Sequence, residues 1–327
     1  MNLPLDPTFA TYGVHEYLGV LHPLWPRRTI DALFARGRVQ SGGRPVGAHR
    51  LLRELDDLVV VGDVDESAEI WAPGGECGVE VLAEDASLIA IAKPSGVPVV
   101  PDRDARRESC LGFLIRRELA ARSQKPLAAW VRPRVVHRID RLTSGVVLFA
   151  RTPDAERELT GCFEDRRVAK TYLALLLGDV LAARVTVDVP IASGRKGRMR
   201  ANADGKAALT VFEPLERFGD FTLAVARPRT GRTHQIRVHA LAIGHPLAVD
   251  PLYRTAEFAG RAEPPGIERL TLHALSYELP ATWPGQRLWR CEPSADFAAA
   301  LEALRGRGRV AAGTAAAISS PTLPGEP

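Results

Sequence analysis

Val135-Val136-His137-Arg138-Ile139-Asp140-Arg141-Leu142-Thr143-Ser144-Gly145-Val146-Val147-Leu148-Phe149-Ala150 sets two apolar, strand-like runs around a tight polar turn. Apolar runs rich in β-branched residues and bounded by turn formers read as strands. Asp140 is the only acid in the stretch, and a carboxylate held on such a turn is positioned for chemistry. Its neighbours decide which chemistry.

Outward from that stretch, the 327-residue chain is 46% hydrophobic and 25% charged, enough for a buried core and for more than one domain. Lys and Arg at 43 against Asp and Glu at 39 leave a formal charge of +4. With a pI near 9.0 this permits a nucleic-acid partner without requiring one. Arginines cluster at Arg27 and Arg28, from Arg195 to Arg200 and from Arg227 to Arg237. Guanidinium forks suit phosphate geometry, although a coding bias toward arginine gives the same count. The cysteines Cys77, Cys110, Cys162 and Cys291 are too far apart to form a metal-type pair or a disulfide framework, and they fit a reducing compartment. Met1 to Ala10 lacks a basic segment leading into an apolar one, and no run of about 18 uncharged apolar residues exists. The expectation is a cytoplasmic protein that makes no use of the membrane.

Taken in order, residues 1–65 read as a small unit. A helix is expected near Tyr17 to Leu21, and a second over Arg27 to Arg36 with Ile30, Leu33 and Phe34 on its apolar side and Gly37 as its stop. Short strands follow around Gly42-Gly43 and Gly47. Residues 66–78, with Pro73-Gly74-Gly75, are the linker candidate, and residues 79–305 the main domain. Val79 to Leu82 and Leu88 to Ala92 read as strands, and Lys93-Pro94-Ser95-Gly96-Val97-Pro98-Val99 as a rigid turn leaving the second. Cys110 to Arg122 carries Leu111, Leu114, Ile115 and Leu119 at helical spacing. Thr152-Pro153-Asp154 opens another helix with a cap, a first-position proline and an acid in the first turn. Val168 to Gly178 reads as a long strand on which Tyr172, Ala174 and Leu176 share a face. Gly194 to Gly205 is basic and poorly patterned, a loop either near a nucleic acid or simply solvated. Strands over Leu209 to Leu215, Phe221 to Ala226 and Leu270 to Leu279, a turn into a helix at Arg229 to His239 and a last helix near Ala295 to Leu304 complete the pattern. From Gly306 to Pro327 the composition offers nothing to bury and predicts a disordered tail.

His137-Arg138-Ile139-Asp140 followed by Thr143-Ser144-Gly145 resembles the signature of the RluA-type RNA pseudouridine synthases, which turn uridine in RNA into its carbon-linked isomer. Lys93 to Val99 resembles that family's first motif, Lys170-Thr171-Tyr172-Leu173-Ala174 its Lys-x-Tyr-x-Ala motif, and Arg229 to His239 its third. Gly244-His245-Pro246-Leu247 and Asp250-Pro251-Leu252-Tyr253 continue in the same order, with Val249 where the family usually has glycine. The resemblance implies an α+β pseudouridine synthase fold with a central mixed, mainly antiparallel sheet flanked by helices and a catalytic cleft. It also implies an N-terminal RNA-binding-like domain, with Arg27, Arg28 and Arg36 on phosphates. A plain packing subdomain is the other reading of that unit.

The implied chemistry breaks the bond between sugar and base nitrogen, turns the uracil and rejoins it through carbon five. It needs no cofactor and no metal. One carboxylate, Asp140, acts on the sugar as nucleophile or as base. It must be ionised in a pocket that excludes water, a state that a nearby cation favours. By motif position that cation is Arg237. Arg138 corresponds to the arginine that fills the gap left by an extruded nucleotide, and Tyr172 to the tyrosine that packs on the target base. Arg232 and Leu272 belong to the substrate-binding set. His137, His234 and His239 are read as structural. The implied partner is RNA, ribosomal before transfer RNA, and the implied state a monomer. A catalytically silent RNA-binding or ribosome-assembly factor and a nucleoside or glycoside hydrolase are the competing readings; the hydrolase needs a second carboxylate, and Asp250 looks structural.

Overall fold

The computed structural model describes residues 2–22, 27–62, 79–100, 110–112, 114, 115, 118, 133–194, 197–254, 258, 260, 261 and 263–311. The chain forms two compact units, Met1–Ala169 with Ala274–Cys291 and Lys170–His273 with Glu292–Pro327. The linker expected at 66–78 lies outside the described residues, as do the side chains of Arg27 and Arg28 and the tail beyond Ala311.

In the first unit, helices α1 (Val14–Leu21) and α2 (Arg27–Ala35) pack over strands β1 (Val39–Ser41), β2 (Arg44–Pro45) and β3 (Val59–Val60), which are antiparallel in the order β2-β1-β3. Gly42 and Gly43, between β1 and β2, have φ of 54° and 72°, the left-handed pair that a tight two-residue hairpin turn needs. Phe9, Val14, Tyr17, Leu18, Ile30 and Leu33 are buried together with Val39 and Val60, so this region has a hydrophobic cluster of its own.

Strand β4 (Glu80–Glu84) pairs with β5 (Leu88–Lys93) across a turn in which Asp85 Oδ1 accepts from the main chain of Ser87 and Leu88. β6 is Arg134–Val135. β5 pairs with β7 (Ser144–Ala150) from Leu88 opposite Ala150 to Lys93 opposite Gly145. β7 is buried along its whole length, which is why it reads as a continuous apolar run rather than an alternating one. Helix α3 (Pro153–Glu164) begins as its sequence predicts: Thr152 Oγ1 accepts from Ala155 N at 3.1 Å and proline occupies the first turn. Leu111, Leu114 and Ile115 are buried, and the rest of the helix expected at Cys110 to Arg122 is described only in part.

β8 (Ala169–Leu177) leads into the second unit, where β9 (Val185–Asp188), β12 (Leu209–Arg217) and β13 (Phe221–Pro228) join it in the order β8-β13-β12-β9. Gly194 to Gly205 is not the plain loop expected. β10 (Ile191–Ser193) and β11 (Met199–Ala201) form a hairpin there. Its strands are too short to show periodicity, and what fixes them is the burial of Ile191 with Ala208, Val238 and Tyr253, against which Met199 packs. Helix α4 (Gln235–Ala242) follows. β14 (Leu272–Glu278) pairs with β15 (Leu288–Arg290), and α5 (Ala295–Ala311) runs past Arg305, where the sequence reading ended the folded part. Arg305 bonds Glu216 at 2.6 and 2.8 Å and Glu302 at 2.5 Å, so the last turns are tied to β12 and the polar composition after Gly306 does not stop the helix. The architecture is α+β with a large mixed sheet, as expected, antiparallel at β4–β5, β5–β7, β8–β13, β12–β13 and β9–β12.

Candidate active site

Asp140 sits in the loop between β6 and β7, and main-chain contacts hold that loop. Lys93, at the end of β5, is 2% exposed. Its ammonium donates to the carbonyls of Pro94 at 2.9 Å, Val97 at 2.7 Å and Arg141 at 2.8 Å. An ammonium has three hydrogens and no acceptor, and each of these carbonyls can take one. Lys93 is thus a brace across the turn. Ser95 Oγ donates to Leu142 O at 2.7 Å, Gly96 N to Arg141 O at 2.9 Å, and Arg141 Nε back to Gly96 O at 2.9 Å. Thr143 N donates to Asp140 O at 3.0 Å and closes the turn.

Gly145 explains why the loop ends where it does. A Cβ there would lie 2.1 Å from the Ala274 carbonyl oxygen, and φ is +112°. Only glycine lets β7 start so close to the backbone of β14. Within the loop Ile139 is buried, Arg138 is exposed and Asp140 is half-buried. His137 is used otherwise. Its Nε2 accepts from Leu148 N at 2.9 Å, and its ring stacks on Phe163 at 4.4 Å and lies 4.8 Å from Tyr277. A nitrogen that accepts a main-chain hydrogen carries no proton of its own, which fits the structural role expected for it.

In the second unit the third motif is organised by buried polar groups. His234 adopts a left-handed backbone, φ 56°, at the cap of α4. Gln235 Oε1 accepts from Thr230 Oγ1 at 2.6 Å and Arg232 N at 3.0 Å, while Nε2 donates to Leu209 O at 2.9 Å and Thr210 Oγ1 at 3.0 Å. The chain continues to His239, whose Nδ1 is 2.9 Å from Thr210 Oγ1 and whose Nε2 is 2.9 Å from Val189 O. A carbonyl can only accept, so Nε2 carries the proton and Nδ1 receives the threonine hydroxyl. Burial pushes the His239 imidazole below its usual range, against the contact with Val189 O and the charge of Asp188. His239 is therefore a neutral link that ties α4 to β12.

Arg237, in the first turn of this helix, is 3% exposed. Its Nε and Nη2 each lie 2.8 Å from a different oxygen of Asp250, a forked ion pair. Asp250 Oδ1 also accepts from Leu252 N at 2.9 Å and Tyr253 N at 3.1 Å, and the Tyr253 ring lies beneath the guanidinium. Asp250 is structural, as its motif position suggested. That it holds Arg237 was not foreseen, because the two residues are far apart in sequence and no periodicity links them. The bracing role of Lys93 was also missed, although a charge closing the apolar strand Leu88 to Lys93 had to find acceptors somewhere.

Of the other expected site residues, Tyr172 is 8% exposed on β8, opposite Ala226 of β13. Lys170, two residues before it, donates to Thr230 O at 3.0 Å and ties β8 to the third motif. Arg232 is half-buried, with Nε on Ala207 O at 3.0 Å. Leu272 is buried next to Thr271, whose hydroxyl donates to Leu175 O at 3.0 Å. Arg36 is exposed just after α2. Among the described residues no group of His, Cys, Asp or Glu is arranged to hold a metal ion, and no helix is long and apolar enough to cross a membrane.

Comparison with known proteins bears on the motifs directly. Residues 87–242 match the family RNA pseudouridylate synthase. The chain is 39% identical over 313 residues to the ribosomal large subunit pseudouridine synthase D of Nitrosomonas europaea, covering 93% of this chain and 88% of that one. To the ribosomal large subunit pseudouridine synthase C of Vibrio cholerae it is 38% identical over 286 residues, covering 84% and 87%. Among solved structures, human RNA pseudouridylate synthase domain containing 4 superposes with a TM-score of 0.54 at 25% identity, covering 69% of this chain and 92% of that one. Identity of this extent over nearly the whole chain, on a fold shared with a solved synthase, means that the protein belongs to the RluA-type family of RNA pseudouridine synthases.

Proposed function

We propose that this enzyme isomerises uridine in the RNA of the large ribosomal subunit and that Asp140 is its catalytic carboxylate. The observation that carries the assignment is the Asp140 loop: Lys93, Ser95 and Gly96 bond its Arg141 and Leu142 carbonyls, Arg141 Nε bonds back to Gly96 O and Thr143 N closes on Asp140 O, while Arg138 stays exposed and Asp140 half-buried. A scaffold of that rigidity is what a group attacking one bond of a bound nucleotide requires. Arg138 fills the space vacated by the extruded nucleotide, whose unstacking costs a few kcal/mol. On motif position, Tyr172 packs on the uracil, Arg237 supplies the positive charge that favours an ionised acid, and Arg232 and Leu272 bind substrate. The ribosomal substrate follows from the relatives in Nitrosomonas and Vibrio, which are named ribosomal large subunit pseudouridine synthases. Residues 1–65 act as an accessory RNA-binding region, with Arg27, Arg28 and Arg36 on phosphates, and residues 79–305 as the catalytic region.

The test uses full-length protein and large-subunit RNA tritiated at uridine carbon five. Asp140→Asn should release label at least about a thousandfold more slowly than wild type. Undiminished release would remove Asp140 from the chemistry, and free uracil in the supernatant would mean hydrolysis instead. Mapping pseudouridine in cellular RNA with and without the protein should show the loss in large-subunit RNA; a loss confined to transfer RNA would overturn the substrate. Binding should weaken steeply with salt, since phosphate contacts release counterions.

A further inference from the structure

Tyr253 touches Arg237, the Asp250 that holds it and the His234 that begins its helix. Its main-chain N–H donates at 3.1 Å to Asp250 Oδ1, the same oxygen that receives Arg237 Nη2 at 2.8 Å. Its ring lies under the guanidinium, with Cζ 5.0 Å from the ring centroid. The hydroxyl is 2.8 Å from Nδ1 of His234, the residue whose left-handed backbone begins α4. That hydroxyl also accepts at 2.8 Å from the main-chain N–H of Met199 on β11. Asp250 fixes the plane of the guanidinium by its fork, and the aromatic ring below it, with Cζ 5.0 Å from the centroid, attracts the cation and opposes its displacement. Together they set the orientation of the guanidinium.

The bond to Met199 reaches beyond what the packing of α4 needs. It joins the arginine's support to the β10–β11 hairpin, which is anchored on Tyr253 and Val238 through Ile191 and Met199. The hairpin turns Arg198 and Arg200 to solvent. Guanidiniums so placed are suited to hold nucleic-acid phosphates.

We propose that Tyr253 is a positioning residue for Arg237 and that its hydroxyl makes the guanidinium's placement depend on the basic hairpin, so that a phosphate backbone held by Arg198 and Arg200 steadies the arginine during the reaction. This rests on the catalytic reading of Arg237 given above. Ordinary core packing would need the ring but not the hydroxyl bond to the hairpin.

Tyr253→Phe keeps the ring and the main-chain bond to Asp250 and removes only the hydroxyl. In single-turnover assays at saturating RNA its rate should fall roughly tenfold, the loss expected for one well-placed hydrogen bond. The RNA concentration for half-saturation should stay within about twofold, and circular dichroism should show a fold melting near the wild-type temperature, because truncating a hydroxyl leaves the apolar contacts in place. The paired substitution Arg198→Ala with Arg200→Ala should lower the saturating rate of the wild type and lower that of Tyr253→Phe no further, the signature of coupled sites. A wild-type saturating rate in Tyr253→Phe, a defect confined to RNA affinity, or hairpin and hydroxyl effects that simply multiply would each overturn the proposal. An active Asp140→Asn would instead sink the catalytic reading itself, whereas an inactive Asp140→Asn beside a fully active Tyr253→Phe would remove only the positioning role.

Discussion

The Asp140 loop and the start of α4 both present a charged group, and they hold it in opposite ways. Around Asp140 the scaffold grips the main chain: Lys93, Ser95 and Gly96 bond to carbonyls of Arg141 and Leu142, and Thr143 N to the carbonyl of Asp140. At Arg237 the scaffold grips the side chain, through the fork to Asp250 and the Tyr253 ring. On the proposed reading Asp140 changes its bonding during the reaction and is best carried by a rigid backbone, whereas Arg237 supplies a fixed charge and can be clamped by its own polar atoms. The difference predicts where stability and activity separate.

The largest effect tests the clamp. Asp250→Ala strips a buried guanidinium of its carboxylate, and breaking a buried pair from one side costs about 3–5 kcal/mol. Chemical denaturation should show a fall of that size; a variant as stable as wild type would mean that Asp250 is not what holds Arg237. Lys93→Met, close to isosteric, leaves the carbonyls of Pro94, Val97 and Arg141 without this donor. Its stability should drop by about 2 kcal/mol, with a loss of label release larger than stability explains, because the backbone under Asp140 is loosened. Equal activity at full folding would show that the loop does not depend on its brace.

Two smaller effects are read by pH. Burial holds His239 below its ordinary value of 6.5. The folded protein therefore keeps it neutral while the unfolded chain takes up a proton. Its contribution is complete above about pH 6.5 and declines as the pH falls from there toward the lowered value of the folded state. His239→Gln should flatten this segment of the stability profile; an unchanged slope between pH 7 and pH 5, roughly the window in which an unperturbed imidazole titrates, would refute it. The smallest effect lies in the Arg269–Asp296 pair at the start of α5. Hydrogen bonds from Arg269, aided by Ser294, hold the Asp296 carboxyl at about 2, below its ordinary 3.8. That stabilisation is present above the ordinary value and is lost as the pH falls through about 2. Asp296→Asn should remove it, and because the aspartate is 40% exposed the change in melting temperature should be small.

Much of the Asp140 loop was legible in the sequence because its residues are close together along the chain. Arg138, Asp140, Thr143 and Gly145 lie within one turn and its flanks, and Thr152-Pro153-Asp154 announced a helix from local chemistry alone. The hairpin at Ile191 to Ala201 was not legible, since its strands are three residues each and their anchor, Tyr253, comes much later in the chain. The helix past Gly306 escaped for a like reason: its composition argues for a tail, and the bonds from Arg305 to Glu216 that hold it join residues remote in sequence.

The sequence alone determined the α+β pattern, the family and the acid on its turn, because alternation, capping and motif spacing are properties of neighbouring residues. Only the tertiary structure decided that Lys93 braces the Asp140 turn, that Asp250 and Tyr253 clamp Arg237, and that His239 is a neutral link. Each of those facts is a choice of partner by a buried polar group. A buried charge or donor must be satisfied by something, but which acceptor it meets depends on how distant strands and helices pack.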